Sequence, residues 1–225
     1  MKLNWLVRLS VGRTTIDPMA ATTPTRGRID KRAAILAGAF TVFARKGYAD
    51  ACVQEIAAEA GVAKPTVYNH LTDKATLFRS ALEATARAKL EERIAVIEPL
   101  YEPGEDLAGT LEHVGLRLLE VHGDATSCAL RRLLYAEVTR FPEALELVSA
   151  YGPHRVVHAL ADPLGRLTLA GRLSANEPAL AAEQLMALLI GPMEARSRMG
   201  TRTVPDEEVR AVAASATGTF LRAYG

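Results

Sequence analysis

Hydrophobic residues recur every three to four positions along most of the chain, which is the spacing of one face of an α-helix. In the first such segment, which starts at Lys31, the apolar positions are Ile35, Leu36, Ala39, Phe40 and Phe43. The segment stops at Gly47, and glycine readily adopts the left-handed conformation that closes many helices. The pattern therefore predicts a first helix that ends close to Gly47.

Two short helical segments follow, covering about 53–59 and 65–71. Gly61 lies between them and makes the turn, while Ala57 and Ala60 are small enough to let helices cross closely. Two helices joined in this way are typical of the helix-turn-helix motif, although helical hairpins with a glycine turn also occur in other proteins.

Asp73 is a favourable N-cap for a long fourth helix over 74–98, which Pro99 ends. Five further helical segments and no strand pattern follow, at 105–122, 126–140, 143–171, 178–198 and 206–223. Pro163 predicts a kink or a break inside the third of these segments. The expected fold class is all-α, with about nine helices.

The pattern divides the chain into three parts. Residues 1–28 lack periodicity, and we expect a disordered N-terminal tail there. Met19 would itself serve as a start, so residues 1–18 are expected to lie outside the fold. A three-helix unit is expected at 29–78 and a larger helical domain at 79–225.

Charge is distributed unevenly between these parts, although the net charge of the chain is only +1. Residues 26–79 carry nine Lys and Arg against five Asp and Glu, whereas residues 80–225 carry fifteen against twenty. Because the N-terminal part is basic and the C-terminal part is acidic, we expect only the N-terminal part to bind an anionic partner.

Several classes of protein are disfavoured by what the sequence contains. The two cysteines, Cys52 and Cys128, have no paired Cys or His spacing, which argues against a disulfide framework and a zinc finger. No apolar stretch reaches the ~18 to 20 residues of a membrane span, so we expect a cytoplasmic protein without a membrane partner. No catalytic or nucleotide-binding motif is found, so neither an enzyme nor a cofactor is expected. His154 and His158 have the spacing of metal ligands but lack a third one, so no metal site is predicted.

The second short helix has an unusually polar face. Val67 and Leu71 would point inward, whereas the outward positions are Lys64, Thr66, Tyr68, Asn69 and His70. Such a face donates hydrogen bonds to phosphates and to base edges in the major groove of DNA. The alternative is an all-α ligand-binding or adaptor protein whose helix-turn-helix is only structural.

The segment from Lys31 to Phe78 resembles the DNA-binding domain of the TetR family of bacterial transcriptional regulators. The resemblance rests on the stretches 43–48 (FARKGY), 56–57 (IA), 60–62 (AGV), 66–68 (TVY) and 74–78 (KATLF). The region 130–173, with Ala136-Glu137 and Arg140-Phe141-Pro142-Glu143, is more weakly similar to the regulatory domain of AefR-like members.

The resemblance implies roles for residues of the helix-turn-helix. Lys64, Pro65 and Asn69 would lie nearest the base edges. Thr66, Tyr68 and His70 would mostly reach the DNA backbone. Gln54, on the supporting helix, would reach a base or a phosphate, and Lys74 would contact a phosphate. The family usually has Thr or Ser before the supporting helix, but this chain has Ala51-Cys52. We therefore expect no hydroxyl–phosphate contact there and Asp50 as the cap.

For the larger domain, the resemblance implies a ligand-responsive repressor that binds a palindromic operator as a homodimer. The dimer surface would be the two C-terminal helices, whose apolar positions exceed what one monomer needs: Leu180, Leu185, Leu188, Leu189, Met193, Val209, Val212, Ala213, Ala216, Phe220 and Leu221. Segments 105–171 would enclose a pocket for an unknown small-molecule effector, with Leu116, Leu119, Leu133, Tyr135 and Val157 as expected lining.

Other side chains have simpler interpretations. Cys52 and Cys128 are expected to be buried packing residues, and Arg131-Arg132 to lie on a solvated face. Tyr135 and Tyr151 fit core packing and a polar pocket wall equally well.

Overall fold

Helices make up the regular secondary structure throughout the described chain. The computed structural model describes residues 25–70, 73–198 and 200–225, and within these ranges it contains ten α-helices and no strand. They are α1 (Thr25–Asp50), α2 (Val53–Glu59), α3 (Lys64–His70), α4 (Lys74–Ile97), α5 (Leu107–Gly123), α6 (Ala125–Glu137), α7 (Pro142–Ser149), α8 (Pro153–Leu169), α9 (Pro178–Ser197) and α10 (Asp206–Tyr224). A 3₁₀ turn, Glu98–Tyr101, follows α4. The all-α prediction is confirmed.

The N-terminal unit packs α1 to α3 and the start of α4 around buried aromatic and aliphatic side chains. Phe43, Phe78 and Ile56 are fully buried at its centre. The α1 backbone leaves helical geometry at Gly47, where φ is 75°, so the predicted end of the first helix is confirmed. Asp73 caps α4 as expected, because its carboxylate accepts a hydrogen bond from the Thr76 amide at 2.7 Å.

The turn between α2 and α3 depends on glycine. Gly61 has a φ of 64°, and the following Val62 amide donates to the Ala57 carbonyl at 2.9 Å. The close packing at Gly38 on α1 was not predicted from the sequence. A Cβ placed there would lie 2.9 Å from the backbone nitrogen of Ala60, so α1 and the end of α2 touch backbone to backbone at this point.

The C-terminal helices share a second core. In it, α10 packs chiefly on α5, and α8 packs chiefly on α9. Leu118, Leu160, Leu189 and Phe220 are among its fully buried members. The long helix α4 contributes Leu90 and Ile97 to this core and Leu77 to the N-terminal one, so α4 runs through both.

Some predicted boundaries are wrong. The segment 143–171 forms two helices, because Gly152 is extended and Pro153 opens α8; Pro163 lies inside α8 and does not split it. The expected tail extends too far, since 25–28 belong to α1, whereas residues 1–24 lie outside the described ranges. The α2 cap is Cys52 and not Asp50, and Cys52 makes no side-chain capping bond.

Most of the apolar residues on the last two helices that were expected to be left over for a dimer surface are buried within the single chain. Eight of the eleven residues are buried within one chain: Leu185, Leu189, Met193, Val209, Val212, Ala213, Ala216 and Phe220. They are buried because α9 and α10 contact each other, α5 and α8 within the same chain. Leu188 and Leu221 are half-buried, and Leu180 is exposed. Within the described ranges, no helix combines the length and apolar character needed to cross a membrane.

Candidate nucleic-acid interface and regulatory cavity

Helix α3 is anchored by one residue and presents the others outward. Val67 is buried against the N-terminal core, while the side chains of Lys64, Pro65 and Asn69 are exposed. Tyr68 is 48% exposed, which is high for so large an aromatic side chain. Thr66 and His70 are half-buried, and Leu71 lies outside the described residues. The geometry therefore leaves a polar helix face available to a partner.

Gln54 and Lys74 flank this face. Gln54 is exposed on α2. Lys74 is half-buried, and its Nζ donates to the Ala49 carbonyl at 2.9 Å and lies 4.8 Å from the ring centroid of Tyr48. An ammonium has three donors, so these contacts leave some of them available. Lys74 thus joins the start of α4 to the end of α1, a structural role that the sequence did not predict.

The surface near the start of α2 differs from expectation at Cys52. The Cys52 side chain is exposed, so the prediction that it is buried is wrong. It is the N-cap residue, at the helix end and not on the buried face. One turn further on, a hydrogen bond from Lys46 is the main cause that lowers the pKa of Glu55, and Lys46 also lowers it by its charge. These contacts tie α2 to α1.

The turn between α6 and α7 docks on the N-terminal unit, which sequence analysis also missed. The ring of Phe141 lies 4.7 Å from Tyr48 and 4.9 Å from Phe78 between ring centroids. A Glu137 carboxylate oxygen accepts from the Tyr48 amide at 3.0 Å. Arg79 pairs with Glu143 at 3.2 Å. The larger domain therefore packs on the N-terminal unit through this aromatic cluster, with two polar contacts beside it.

A cavity of about 590 Å³ lies between α4, α5, α6, α8 and α9. Its apolar wall includes Leu118, Leu130, Leu134, Val156, Met186 and Ile190. The volume falls within the ~300–1,000 Å³ of typical small-molecule sites.

Of the residues expected to line an effector pocket, Val157 lines this cavity. Leu116 and Leu119 line a separate cleft of about 530 Å³ beside α10. Leu133 is buried in the N-terminal core, and Tyr135 is 56% exposed. Apolar periodicity alone does not tell which buried face borders a void, so the sequence could not assign these residues to one cavity.

Several polar and charged residues also line the cavity. Arg131 lines it with its side chain only 18% exposed, so the expected solvated face is wrong for Arg131; it holds for Arg132, which is exposed. Tyr151, which the sequence left undecided, lines the cavity and donates to Glu83 at 3.1 Å. Cys128 is buried as expected.

His122 is the most strongly perturbed titratable group among them. Burial, and then the charges of Arg131 and Arg93, lower its pKa to about 3, against an opposing effect of Asp124. The ring nitrogen Nε2 lies 3.0 Å from a Glu194 oxygen, and Arg131 lies 3.5 Å from Nδ1. A neutral ring suits this arrangement, because Nε2–H then donates to Glu194 while Nδ1 accepts.

Across the described part of the chain, no three His, Cys, Asp or Glu side chains lie close enough together to hold a metal ion.

Two family descriptions match the chain. Residues 35–81 match the bacterial regulatory proteins of the tetR family. Residues 109–225 match the C-terminal domain of AefR-like transcriptional repressors. No curated protein matches the sequence.

Solved structures agree with these matches. A protein from Mesorhizobium loti, described as a TetR-family transcriptional regulator, is 32% identical over 89% of this chain and 99% of its own, with a TM-score of 0.80. The flavonoid-responsive regulator FrrA is 24% identical over 86% of this chain and 96% of its own, with a TM-score of 0.67. A TetR-family regulator from Pseudomonas syringae pv. tomato is also 24% identical over 86% and 96%, with a TM-score of 0.60. The last two are similar in fold. The chain belongs to the TetR family of bacterial transcriptional regulators, whose members are ligand-responsive DNA-binding repressors.

Proposed function

We propose that this protein represses transcription by binding a palindromic operator as a homodimer and releases it when a small molecule occupies the cavity. The observation that carries the proposal is the face of α3, where Lys64, Tyr68 and Asn69 are exposed while Val67 anchors the helix. A helix held in this way enters the major groove with its polar side chains toward the DNA. The protein has no catalytic role in this proposal.

Each residue at or beside the face of α3 has a proposed partner on DNA. Lys64, Pro65 and Asn69 contact base edges and set the sequence preference. Thr66, Tyr68 and His70 contact the backbone and set the position of α3, as Lys74 does at the start of α4. Gln54 reaches a base or a phosphate from α2. Support comes from exposure, since four of these side chains are exposed on α3 and one on α2.

The proposed dimer forms through α9 and α10. An apolar cleft of about 420 Å³ lies between these helices, lined by Gln184, Ala187, Leu188, Thr219, Phe220, Ala223 and Tyr224. Packing α9 and α10 of a second copy against this cleft would complete a four-helix bundle. It would also place the two α3 helices on successive major grooves, which matches a two-fold symmetric site.

A charge placed in this cleft tests the dimer. Ala223→Glu buries an unpaired carboxylate between the copies and is expected to yield a monomer in sedimentation velocity at micromolar concentration. Ala214→Glu is the matched control: it is also exposed on α10 but nine residues earlier, half a turn around the helix. A monomeric wild-type protein would contradict the proposed dimer.

Helix α4 connects the proposed effector cavity to the DNA-binding unit. Its first turn carries Lys74, and Ala86, Lys89 and Arg93 line the cavity further along. A ligand that binds one position of α4 more tightly than another would shift the protein toward that position and so change its affinity for DNA. A coupling free energy of about 1–3 kcal/mol between ligand binding and DNA binding would suffice for a switch.

Selection of bound duplexes from a pool of random DNA tests the proposal for any operator sequence. The expected result is enrichment of an inverted repeat whose half-sites lie about one helical turn apart. Enrichment of no common sequence would overturn the proposal and favour a protein whose helix-turn-helix is only structural.

A further inference from the structure

One arginine in the cavity wall has no partner among the described residues. Arg93 is half-buried on α4 and lines the cavity. Among the described residues, neither a hydrogen bond nor an ion pair within 4.0 Å joins its guanidinium to another side chain. A guanidinium offers five N–H donors, and leaving them unmet in a partly desolvated site is costly.

The neighbouring charged groups are already engaged elsewhere. Lys89 contacts Asp124 at 2.6 Å and Glu92 at 2.7 Å. Arg131 lies 3.7 Å from Glu194 and donates to the His122 carbonyl at 2.9 Å. The nearby carboxylates therefore stabilise other cations by direct contact, whereas they act on Arg93 only through longer-range electrostatic attraction.

The electrostatics agree with this geometry. Burial is the main cause that lowers the pKa of Arg93, and the positive charge of Arg131 lowers it further. Asp124 and Glu92 act in the opposite direction. An arginine stays charged under such a shift, because its unperturbed pKa is so high.

Two helices aim the relevant side chains at the same space. On α4, Ala86, Lys89 and Arg93 follow one helix face and line the cavity. On α6, Ser127, Leu130, Arg131 and Leu134 do the same. Ser127 is buried, and its hydroxyl makes no hydrogen bond of normal geometry within the described ranges, although its side chain is close enough to Asp124 to help lower the pKa of that carboxyl. Arg93 therefore supplies the unused donors, beside Ser127 and Arg131 in the cavity wall.

We infer that the effector is an amphipathic monoanion, an apolar body that carries one carboxylate, held by Arg93 with Ser127 and Arg131 beside it. A carboxylate matches the planar fork of a guanidinium and accepts two N–H bonds from it. One unpartnered cation calls for one negative charge, and the leucine, valine and methionine wall accommodates the apolar part. The apolar body would lie against Val156 of α8 and against Met186 and Ile190 of α9, which line the cavity. This inference rests on the proposed function, because it names the class of the effector.

Calorimetric titration of the purified full-length protein with matched probes tests the inference. The probes are decanoate, decan-1-ol and decyltrimethylammonium, together with 2-naphthoate and 2-naphthalenemethanol as a rigid pair, all far below micelle-forming concentrations. The expected result is that at least one carboxylate binds about tenfold or more tightly than its alcohol, because a charged hydrogen bond is worth more than a neutral one. Decyltrimethylammonium is expected to bind more weakly than decan-1-ol.

The variant Arg93→Gln tests whether Arg93 causes the preference for the carboxylate over the alcohol. The variant is expected to bind the carboxylate and the alcohol with equal affinity. Its melting temperature without ligand is expected to equal or exceed that of the wild type, since an unpartnered desolvated charge is removed. Arg87→Gln is the matched control on the same helix, because Arg87 is 62% exposed and pairs with Glu91; it should keep the full preference. Should Arg93→Gln fail to fold, Arg93→Lys is used, which keeps the charge but not the fork and should lose part of the preference.

Two outcomes overturn the inference. In the first, each carboxylate binds no more tightly than its alcohol, or none of the probes binds. In the second, the preference for the carboxylate survives in the Arg93 variant. Binding of selected DNA is measured on the same preparation. Intact DNA binding without a carboxylate preference rejects the inference and leaves the proposed repressor standing. Absence of specific DNA binding rejects the repressor, whatever the probes do.

Discussion

Lys74 combines an observed contact inside the protein with a proposed contact to DNA. Its donors beyond the bond to the Ala49 carbonyl would face a phosphate at the positive end of α4. Lys74→Ala is therefore expected to weaken binding to all DNA sequences and to reduce the salt slope of log Kobs by about 1. Anisotropy titrations at several salt concentrations measure the slope, and circular dichroism monitors folding.

The matched control is Arg166→Ala, which removes a cation that is 65% exposed on α8, away from α3. It should leave the slope unchanged. If Lys74→Ala also leaves the slope unchanged, the proposed phosphate contact does not exist and the role of Lys74 is purely structural.

His122 should make the stability of the protein depend on pH. Burial lowers its pKa to about 3 in the folded state, against an ordinary value of 6.5. The groups around it are Arg93 on α4, Asp124 before α6, Arg131 on α6 and Glu194 on α9. Between these pH values the unfolded chain binds a proton that the folded chain excludes. The free energy of unfolding is therefore highest above pH 6.5 and falls by up to about 1.4 kcal/mol per pH unit between pH 6.5 and 3.

Urea unfolding at pH 7.5 and pH 5.0 measures this effect. Wild type and the exposed-residue control His113→Gln should lose more stability on acidification than His122→Gln. An equal loss in His122→Gln would show that the ring is not held neutral in the folded protein.

At the scale of elements, the approach of α1 to α2 leaves no space for a side chain at Gly38. A methyl group there would lie 2.9 Å from the backbone nitrogen of Ala60. Gly38→Ala is expected to destabilise the protein by about 1–3 kcal/mol through this overlap. Gly218→Ala, within α10, would meet only the end of the flexible Arg222 side chain, at 3.6 Å, and should stabilise by about 0.5–1 kcal/mol through helix propensity. Urea midpoints of the two variants should move in opposite directions, and a shift of both to higher urea would refute the close approach.

The α6–α7 turn is expected to contribute much of the attachment between the domains. Phe141 is 7% exposed and packs on Tyr48 and Phe78. Phe141→Ala should lower the free energy of unfolding by about 3–5 kcal/mol, because a large buried ring leaves a cavity. Leu145→Ala on α7, where the side chain is 47% exposed, should change it by less than about 0.5 kcal/mol. Similar losses in both variants would mean that the aromatic cluster is not a specific contact.

Helices and their ends could be predicted because their signals are local. The cap at Asp73 and the turn at Gly61 each depend on a few neighbouring residues, and both are confirmed. The break before α8 was misplaced because Pro163 looked like the stronger helix breaker, although Gly152 and Pro153 make the break.

The cavity and its charges could not be predicted in the same way. A pair of arginines at 131–132 is most often solvated, and only the packing of α4, α5 and α9 around α6 brings Arg131 inside while Arg132 stays exposed. The role of Arg93 could not be predicted from the sequence, because whether its guanidinium finds a partner depends on how the surrounding helices pack. The polar face of α3 was predictable, because burial of Val67 and exposure of Tyr68 follow from one helical period.

For the whole molecule, the central claim is sequence-specific DNA binding through α3. Fluorescence anisotropy at about 150 mM salt, with the duplex selected from random DNA and a scrambled duplex, tests it directly. The account predicts binding to the selected duplex tighter by ~10³ or more, lost in Tyr68→Ala and kept in Tyr135→Ala, whose tyrosine is also exposed but lies on α6. Equal affinity for both duplexes, or full specific affinity in Tyr68→Ala, would contradict it.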